Sequence, residues 1–293
     1  MIDEKFVLLT ITGLANGAIL ALAALGFVVV FKATGVINFA QGEFLLVGAY
    51  LIHQFYTEWG WHWGVSIVVA MALAVVMGIA IERLILRPLI GENIISVIMV
   101  TIGLSAALLA LVLGVWGTQP RPAPQFISAE SIKILGASVP ISRVVAVGIA
   151  GVVFSAFAVF FRRSKQGVAM RAVADDQQAA MMQGISVNRV FALSWALAAA
   201  SAVLGGMLLS QIGGGVSPEI AGFGVIVFPV VILGGLDSIP GAVVGGIVIG
   251  LISQYSGGYL LSGSQDVVPF VILVLILLVK PYGLFGQVRI ERV

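Results

Sequence analysis

Few residues of this 293-residue chain have the types and spacing that catalysis or metal binding requires. No lysine follows a glycine, so the sequence lacks the Gly-x-x-x-x-Gly-Lys-Ser/Thr loop that cradles nucleotide phosphates. Two histidines are present, His53 and His62, and no cluster of His, Asp and Glu has metal-ligand spacing. Cysteine is absent, which excludes disulfides and thiol catalysis. We therefore expect no catalytic residue, no metal site and no cofactor bound by this chain.

The composition is that of a membrane protein. Hydrophobic residues make up 60% of the chain and charged residues 10%, and the mean hydropathy is +1.14, far outside the range of soluble domains. A helix needs roughly 20 apolar residues to cross a bilayer, so there is room for about eight to ten crossings. We expect an all-α polytopic membrane protein in which residues 1–293 form a single transmembrane domain.

Hydrophobic runs separated by charged or Pro/Gly-rich breaks predict nine helices. Two of the runs are short, and the second of them contains Pro229, so either could be a broken or re-entrant segment and the number of crossings could be eight or ten. The predicted helices are Phe6–Phe31, Phe39–Phe55, Gly64–Leu86, Ile94–Val115, Arg143–Phe161, Val190–Gln211, Ala221–Gly235, Gly241–Tyr255 and Val267–Val279.

Glu43 is the main ionisable residue that falls inside an apolar run, four residues into Phe39–Phe55. A charge within the hydrocarbon costs several kcal/mol, about 3 on insertion scales, and is usually retained for function. Two interpretations stay open. Glu43 either starts a helix near the cytoplasmic interface, where carboxylates favour the first turn, or it lines the path or braces a broken helix.

Glycines predict where helices pack closely and turn. The Gly-x-x-x-Gly spacings Gly13–Gly17, Gly241–Gly245 and Gly246–Gly250 place two small residues on one helix face, which permits close crossing. Gly234 and Gly235 end one predicted helix; Asp237 or Ser238 can cap the next, and Pro240 and Gly241 fit its first turn. This pattern favours a tight turn between packed helices over a substrate contact.

The loop Arg162–Arg189 is the informative segment outside the membrane. Between Gly167 and Gly184 it has good helix formers and no proline, with Gly184 as a plausible C-cap. The stretch predicts a short helix beneath the bilayer. Its acids, Asp175 and Asp176, and its methionines suit a protein groove at least as well as anionic lipid, so we expect a helix that docks a partner.

Lysine and arginine predict the orientation, because cytoplasmic loops of bacterial membrane proteins hold the excess. When the Arg162–Arg189 loop is placed inside, eleven basic residues lie inside and four outside, so we expect the N-terminus outside and the C-terminus in the cytoplasm. The outside residues are Lys5, Arg121, Lys133 and Arg143, and the inside ones are Lys32, Arg83, Arg87, Arg162, Arg163, Lys165, Arg171, Arg189, Lys280, Arg289 and Arg292. The outside segment Gly117–Ser142 contains four prolines and is expected to be extended over the bundle.

Three motifs together carry a resemblance to a known family. They are Gly35-Val-Ile-Asn-Phe-Ala-Gln-Gly-Glu43, Ala172-Val-Ala-Asp-Asp-Gln-Gln-Ala-Ala-Met-Met-Gln-Gly-Ile185 and Leu233-Gly-Gly-Leu-Asp-Ser-Ile-Pro-Gly-Ala-Val-Val-Gly-Gly246. The chain closely resembles the permeases of ABC importers for branched-chain amino acids, over nearly its whole length. In similar proteins the position of Gln41 is commonly histidine.

The resemblance implies roles for each motif. The stretch 167–185 would be the coupling helix that sits in a cleft of the ATPase subunit, and the stretch 35–43 would break or start a helix beside the central path. The coupling residues would be Gly167, Arg171, Ala172, Asp175, Asp176, Ala180 and Gly184, the path or broken-helix residues Asn38, Phe39, Gln41, Gly42 and Glu43, and the helix-turn residues Gly234, Gly235, Pro240 and Gly241.

The resemblance also implies partners and cargo. We expect a second, homologous permease in a heterodimer, two ATPase subunits that hold ATP and magnesium, and a periplasmic binding protein, all at the bacterial inner membrane. The implied cargo is branched-chain or other hydrophobic amino acids, with urea, short amides and aromatic or other carboxylates as alternatives. A self-sufficient secondary transporter or channel is the alternative of another class, and the shortage of mid-membrane ionisable groups argues against it. An intramembrane enzyme is supported by no constellation of residues.

Overall fold

Eleven α-helices make up most of residues 4–128 and 130–286, the part of the chain that this computed structural model describes. Their bounds follow the apolar runs of the sequence. In chain order they are α1 (Glu4–Thr34), α2 (Gln41–Ile52), α3 (Trp63–Ile81), α4 (Ile94–Trp116), α5 (Ile141–Arg163), α6 (Lys165–Asp175), α7 (Gln177–Met182), α8 (Val187–Ile212), α9 (Phe223–Gly234), α10 (Ile239–Tyr259) and α11 (Ser264–Val279).

Six of the described helices are long and apolar enough to cross a membrane: α1, α3, α4, α5, α8 and α10. The helices α2, α9 and α11 are shorter, although α2 continues as a π-helical segment, His53–Glu58, and α3 continues through Glu82–Leu86 and Arg87–Leu89. Each of the nine predicted runs coincides with a helix, so the prediction of an all-α polytopic membrane protein with short, broken segments is confirmed.

The predicted single helix over 167–184 is wrong in one respect, because the stretch forms two helices. At Asp176 the backbone is extended, with φ −155° and ψ 110°, which ends α6. The carboxylate of Asp176 then accepts hydrogen bonds from the backbone N–H groups of Gln178 and Ala179, at 2.8 and 2.9 Å, and caps α7. Gly184, with φ +79°, follows the end of α7 in the left-handed conformation that glycine adopts without strain.

The helices α1 and α8 form the centre of the bundle. In their most apolar stretches 83% and 72% of residues are buried, compared with 22% for α4 and 17% for α5 at the periphery. Glycines bring α1 against α10: a Cβ added at Gly17 would lie 2.7 Å from the carbonyl oxygen of Gly246, and one at Gly250 would lie 2.5 Å from that of Gly13. Two of the predicted Gly-x-x-x-Gly spacings therefore face each other across one helix crossing.

The two ends of the bundle differ. The end at which α1 begins, which we call the first end, carries the segment between α4 and α5, with strands β1 (Arg121–Pro122), β2 (Ser131–Ile134) and β3 (Ala137–Pro140). Strands β2 and β3 form an antiparallel hairpin, and β1 pairs with β4 (Gly215–Val216), which follows α8. The opposite end, which we call the second end, carries α6 and α7.

Side-chain hydrogen bonds and a strand pairing hold the segment between α4 and α5 on the bundle. Arg121 donates to the Glu58 carboxylate at 2.9 Å and to the backbone carbonyl of Trp116 at 3.0 Å. The pairing of β1 with β4 holds the same segment to the chain that leads into α9. The first end is therefore covered by a segment that is tied both to the end of α2 and to the start of the α9 region.

Candidate functional site

The chain turns back into the bundle after α1. Gly35 adopts φ +70°, and the following loop brings Gln41, the first residue of α2, beside Gly26 of α1. A Cβ added at Gly26 would lie 2.5 Å from Nε2 of Gln41. Gly26 is about 12 Å from the end of α1 along the helix axis. The helix α2 therefore starts inside the bundle and runs from there to the first end.

The helix α9 starts at the same depth and runs the other way. A Cβ added at Gly224 would lie 2.7 Å from Cα of Gly42, and one at Gly42 would collide with the carbonyl oxygen of Ala221. Only glycine permits this backbone contact. We call the two helix starts, residues 38–43 and 221–224, the junction. The first turns of two helices, α2 and α9, the latter continuing the 3-10 helix Pro218–Gly222, thus meet within the membrane-spanning part of the protein.

Buried polar side chains surround the start of α2. Asn38 and Gln41 are each 1% exposed. Asn38 donates from Nδ2 to Oε1 of Gln41 at 3.2 Å and accepts from the backbone N–H of Ala40 at 3.0 Å, which organises the turn before the helix. Nε2 of Gln41 has no partner among the described residues. Phe39 is half-buried, and its ring lies 5.0 Å from that of Phe228 on α9.

Glu43 is held from the side by α4. Its Oε1 accepts a 2.8 Å hydrogen bond from Oγ of Ser105, and Oγ1 of Thr101, one turn earlier on α4, donates to the carbonyl of Ile37 at 3.1 Å. The Glu43 carboxylate is buried, and Oε2 has no partner among the described residues. Of the two interpretations that the sequence left open, the geometry favours a carboxylate that braces the broken helix, although Glu43 also lies in the first turn of α2.

The junction lies between two cavities. The larger, of about 420 Å³, is at the first end, and its floor includes Leu20, Phe223 and Ile226. The smaller, of about 260 Å³, is at the second end and is lined by Ile37 and Trp195 among others. Each cavity reaches residues next to the junction from its own end, which is the arrangement expected of a path that opens alternately to two sides.

Contacts with α1 and α5 hold α6 and α7 at the second end of the bundle. Gly167 packs on the backbone of Phe160 and Phe161, and Ala180 is buried in an apolar cluster with residues of α1. The remaining predicted coupling residues form the outer surface. Ala172 is half-buried, and Arg171, Asp175, Asp176 and Gly184 are exposed.

The predicted turn residues lie where α9 meets α10. Gly234 ends α9, and its backbone touches that of Gly241. Oγ of Ser238 accepts the N–H of Gly241 at 3.0 Å and caps α10, whose first turn contains Pro240. Lys32 at the end of α1 donates to the carbonyl of Asp237 at 3.2 Å. The turn therefore joins α1, α9 and α10 at the second end and lies away from the junction.

The two histidines have structural contacts. Nε2 of His53 lies 3.4 Å from Oε1 of Glu58, and Nδ1 of His62 accepts the N–H of Gly64 at 3.2 Å at the start of α3. No group of three or more metal-ligating side chains occurs within 4–128 and 130–286.

The polar residues of the first-end cavity were not predicted as a site from the sequence. Asn16, Arg143 and Gln254 come from α1, α5 and α10 and line one space. Polar residues inside apolar runs were the one sequence feature that could have indicated this site. Asn16 follows Thr12 by one helical turn on α1, and Gln254 directly follows Ser253 on α10.

Comparisons with known proteins give a consistent result. Residues 9–279 match the family described as branched-chain amino acid transport system / permease component. The chain is 32% identical to the high-affinity branched-chain amino acid transport system permease protein LivH of Escherichia coli (strain K12), covering 96% of each chain. It is 31% identical to the corresponding protein BraD of Pseudomonas aeruginosa, covering 97% of this chain and 96% of BraD. The structure of PsaBC from Streptococcus pneumoniae in complex with Fab is similar in fold, with a TM-score of 0.52 at 13% identity and coverage of 92% of this chain and 91% of that chain.

Proposed function

The chain belongs to the family of branched-chain amino acid transport system permease components, and we propose that it forms half of the path by which an ATP-driven importer carries branched-chain or other hydrophobic amino acids across the bacterial inner membrane. It is a multi-pass membrane protein and a permease subunit of an ABC importer. The observation that carries the proposal is the junction, where two oppositely directed half-helices meet between two cavities.

The proposed partners supply what this chain lacks. The sequence has no phosphate-binding loop, so two ATPase subunits would bind ATP and magnesium. A second, homologous permease would complete the path, and a periplasmic binding protein would deliver the cargo to the first end. The exposed surface of α6 and α7 supports docking of an ATPase subunit, because Met181 and Met182 are 54% and 83% exposed beside Asp175 and Asp176.

Coupling would pass from the ATPase subunits to the junction through packed helices. Met170 and Val173 of α6 share one apolar cluster with Val29 and Ala33 at the end of α1. The end of α1 in turn holds the turn between α9 and α10 through Lys32. A movement of α6 would therefore displace α1 and α9, which meet α2 at the junction. Packed interfaces of this kind have discrete arrangements and can switch between two states.

The proposed orientation puts the first end outside and the second end in the cytoplasm. Within the described ranges the first end holds Lys5, Arg121, Lys133 and Arg143, while nine basic residues lie toward the second end, as the positive-inside rule requires of a cytoplasmic side. Arg289 and Arg292, which the sequence also assigns to the cytoplasm, lie outside the described residues.

Reconstitution tests the proposed function. The complex of both permeases, the ATPase subunits and the binding protein is expected to take up L-leucine into liposomes only when ATP is present on the ATPase side. Liposomes that contain this chain alone are expected to take up none. Leucine uptake by the chain alone would instead identify a self-sufficient carrier. ATP-dependent uptake of urea or a short amide, without leucine, would retain the importer and change its cargo.

A further inference from the structure

The cavity at the first end is lined by polar side chains that have no partner within the protein. Asn16 on α1, Arg143 on α5 and Gln254 on α10 are each half-buried. Their side chains make no hydrogen bond or ion pair with another described residue. Unsatisfied polar groups in a membrane-spanning bundle are costly unless water or a ligand reaches them. Three helices therefore present hydrogen-bonding groups to one solvated space.

The cavity holds charges of both signs that are not neutralised by each other. The guanidinium of Arg143 shares the space with the carboxylates of Glu219 and Asp266, and no nitrogen of Arg143 lies within 4.0 Å of a carboxylate oxygen of the described chain. Glu219 lies in the 3-10 helix Pro218–Gly222, which leads into α9, and Asp266 lies in the first turn of α11. Carboxylates favour helix starts, so their presence alone indicates no ligand. Arg143, in contrast, lies in the first turn of α5, where the dipole is unfavourable for a cation.

The floor of the same cavity is apolar. Leu20, Phe223 and Ile226 lie toward the junction, below the charged rim. With a volume of about 420 Å³, the cavity falls in the size range of small-molecule sites, roughly 300–1,000 Å³. A small zwitterion with an apolar side chain matches this distribution, because its two charged groups and its side chain each find a complementary region.

We propose that this cavity is an entry site within the single subunit for a zwitterionic, apolar amino acid. Arg143 binds the α-carboxylate, Glu219 or Asp266 binds the α-ammonium group, and the side chain lies against Phe223 and Ile226. An arginine is suited to this role because its planar guanidinium can donate two parallel hydrogen bonds to a carboxylate. The site rests on the proposed function and adds to it a selectivity step in the permease itself. Affinity is expected in the millimolar range, since a transport site must also release its cargo.

This chain contains no cysteine, so an introduced thiol is its only one and labelling is read on this chain alone. In the complete complex in native membranes, Ser253→Cys places one thiol in the cavity wall, and Lys133→Cys places one on the β2–β3 hairpin at the same end. A membrane-impermeant maleimide is applied from outside with and without L-leucine. We expect millimolar L-leucine to slow labelling of Ser253→Cys and to leave Lys133→Cys unchanged. Leucinamide, which lacks the carboxylate, is expected to protect much less.

Variants of Arg143 test the assignment. In the Ser253→Cys background, Arg143→Gln is expected to raise the leucine concentration for half-protection about tenfold or more, and Arg143→Lys less. Lys133→Gln removes the same charge elsewhere on this end and is expected to have no effect. Folding is checked by retained assembly with the ATPase subunits.

Two results would overturn the site. One is a complex that imports leucine while Ser253→Cys is not labelled from outside; the other is labelling that L-leucine does not slow in such a complex. Failure of the wild-type complex to import any amino acid would instead contradict the proposed function, so the two failures are distinguishable.

Discussion

At the scale of single residues, the carboxylate of Glu43 is the feature whose environment most constrains the mechanism. It is buried, and the hydroxyl of Ser105 is its one side-chain hydrogen-bond partner within the described chain. Because Thr101 on the same face of α4 holds Ile37, α4 anchors both the loop and the first turn of α2. The start of the half-helix thus depends on two hydroxyl groups of a helix that is otherwise peripheral.

Replacing Ser105 with alanine is expected to lower the free energy of unfolding by about 1–3 kcal/mol, since it leaves a buried carboxylate without its partner. The measurement is thermal denaturation of the purified complex in detergent. Ser155→Ala is the matched control, because that exposed hydroxyl bonds only to the carbonyl of Gly151 in its own helix. Equal stability of the two variants would contradict the bracing role of Ser105.

At the scale of elements, the decisive feature is the pair of broken helices. The helices α1 and α8 run in opposite directions, each is followed by a half-helix, and the half-helices α2 and α9 start together and run to opposite ends. This is the arrangement of an inverted repeat, in which the interface of the two halves surrounds the path. The contact of Gly42 with Gly224 is the point where the halves meet.

Gly224→Ala is expected to separate the two half-helices. Its Cβ would lie 2.7 Å from Cα of Gly42, and backbone atoms on both sides cannot move away cheaply, so we expect a loss of stability of about 1–3 kcal/mol and reduced leucine uptake. Gly103→Ala on α4 is the control, because nothing lies within 4 Å of the added methyl group. Normal uptake by Gly224→Ala would show that the contact is not required.

The break between α6 and α7 gives Asp175 and Asp176 different structural roles. Asp175 is exposed and makes no side-chain bond to another described residue, whereas Asp176 caps α7. Asp175→Lys is expected to weaken co-purification of the ATPase subunits about tenfold or more, because it reverses a charge on the docking surface. Asp176→Asn keeps the capping oxygen and is expected to retain them, while Asp176→Ala destabilises α7 by about 0.5–2 kcal/mol. Undiminished recovery of the ATPase with Asp175→Lys would remove this acid from the docking surface.

At the scale of the whole molecule, the two ends have different chemistry. The first end is covered by the segment between α4 and α5, which Arg121 fastens to Glu58. The second end presents α6 and α7 and most of the basic side chains. Under the proposed orientation, a binding protein and an ATPase subunit would therefore meet surfaces that differ in charge and in fold.

Labelling of single cysteines tests this orientation. Lys133→Cys on the β2–β3 hairpin is expected to react with an impermeant maleimide in intact cells, and Met182→Cys, at a position that is 83% exposed, only after the membrane is opened. The wild-type chain contains no cysteine and is the control for background. The reverse pattern would invert the proposed topology and place the first-end cavity in the cytoplasm.

The membrane class, the membrane-spanning helices and the family could be predicted from the sequence alone. Apolar runs reveal spans because each helix satisfies its own backbone hydrogen bonds locally, so run length and composition suffice. Motifs such as Gly35–Glu43 indicate the family because each is a continuous stretch of the chain and can be recognised without the folded structure. The contact of Gly42 with Gly224, and the cavity shared by Asn16, Arg143 and Gln254, are visible only in the folded chain. These contacts join residues far apart in the chain, and a polar residue in an apolar run looks the same in sequence whether it faces lipid, a neighbouring helix or a solvated space.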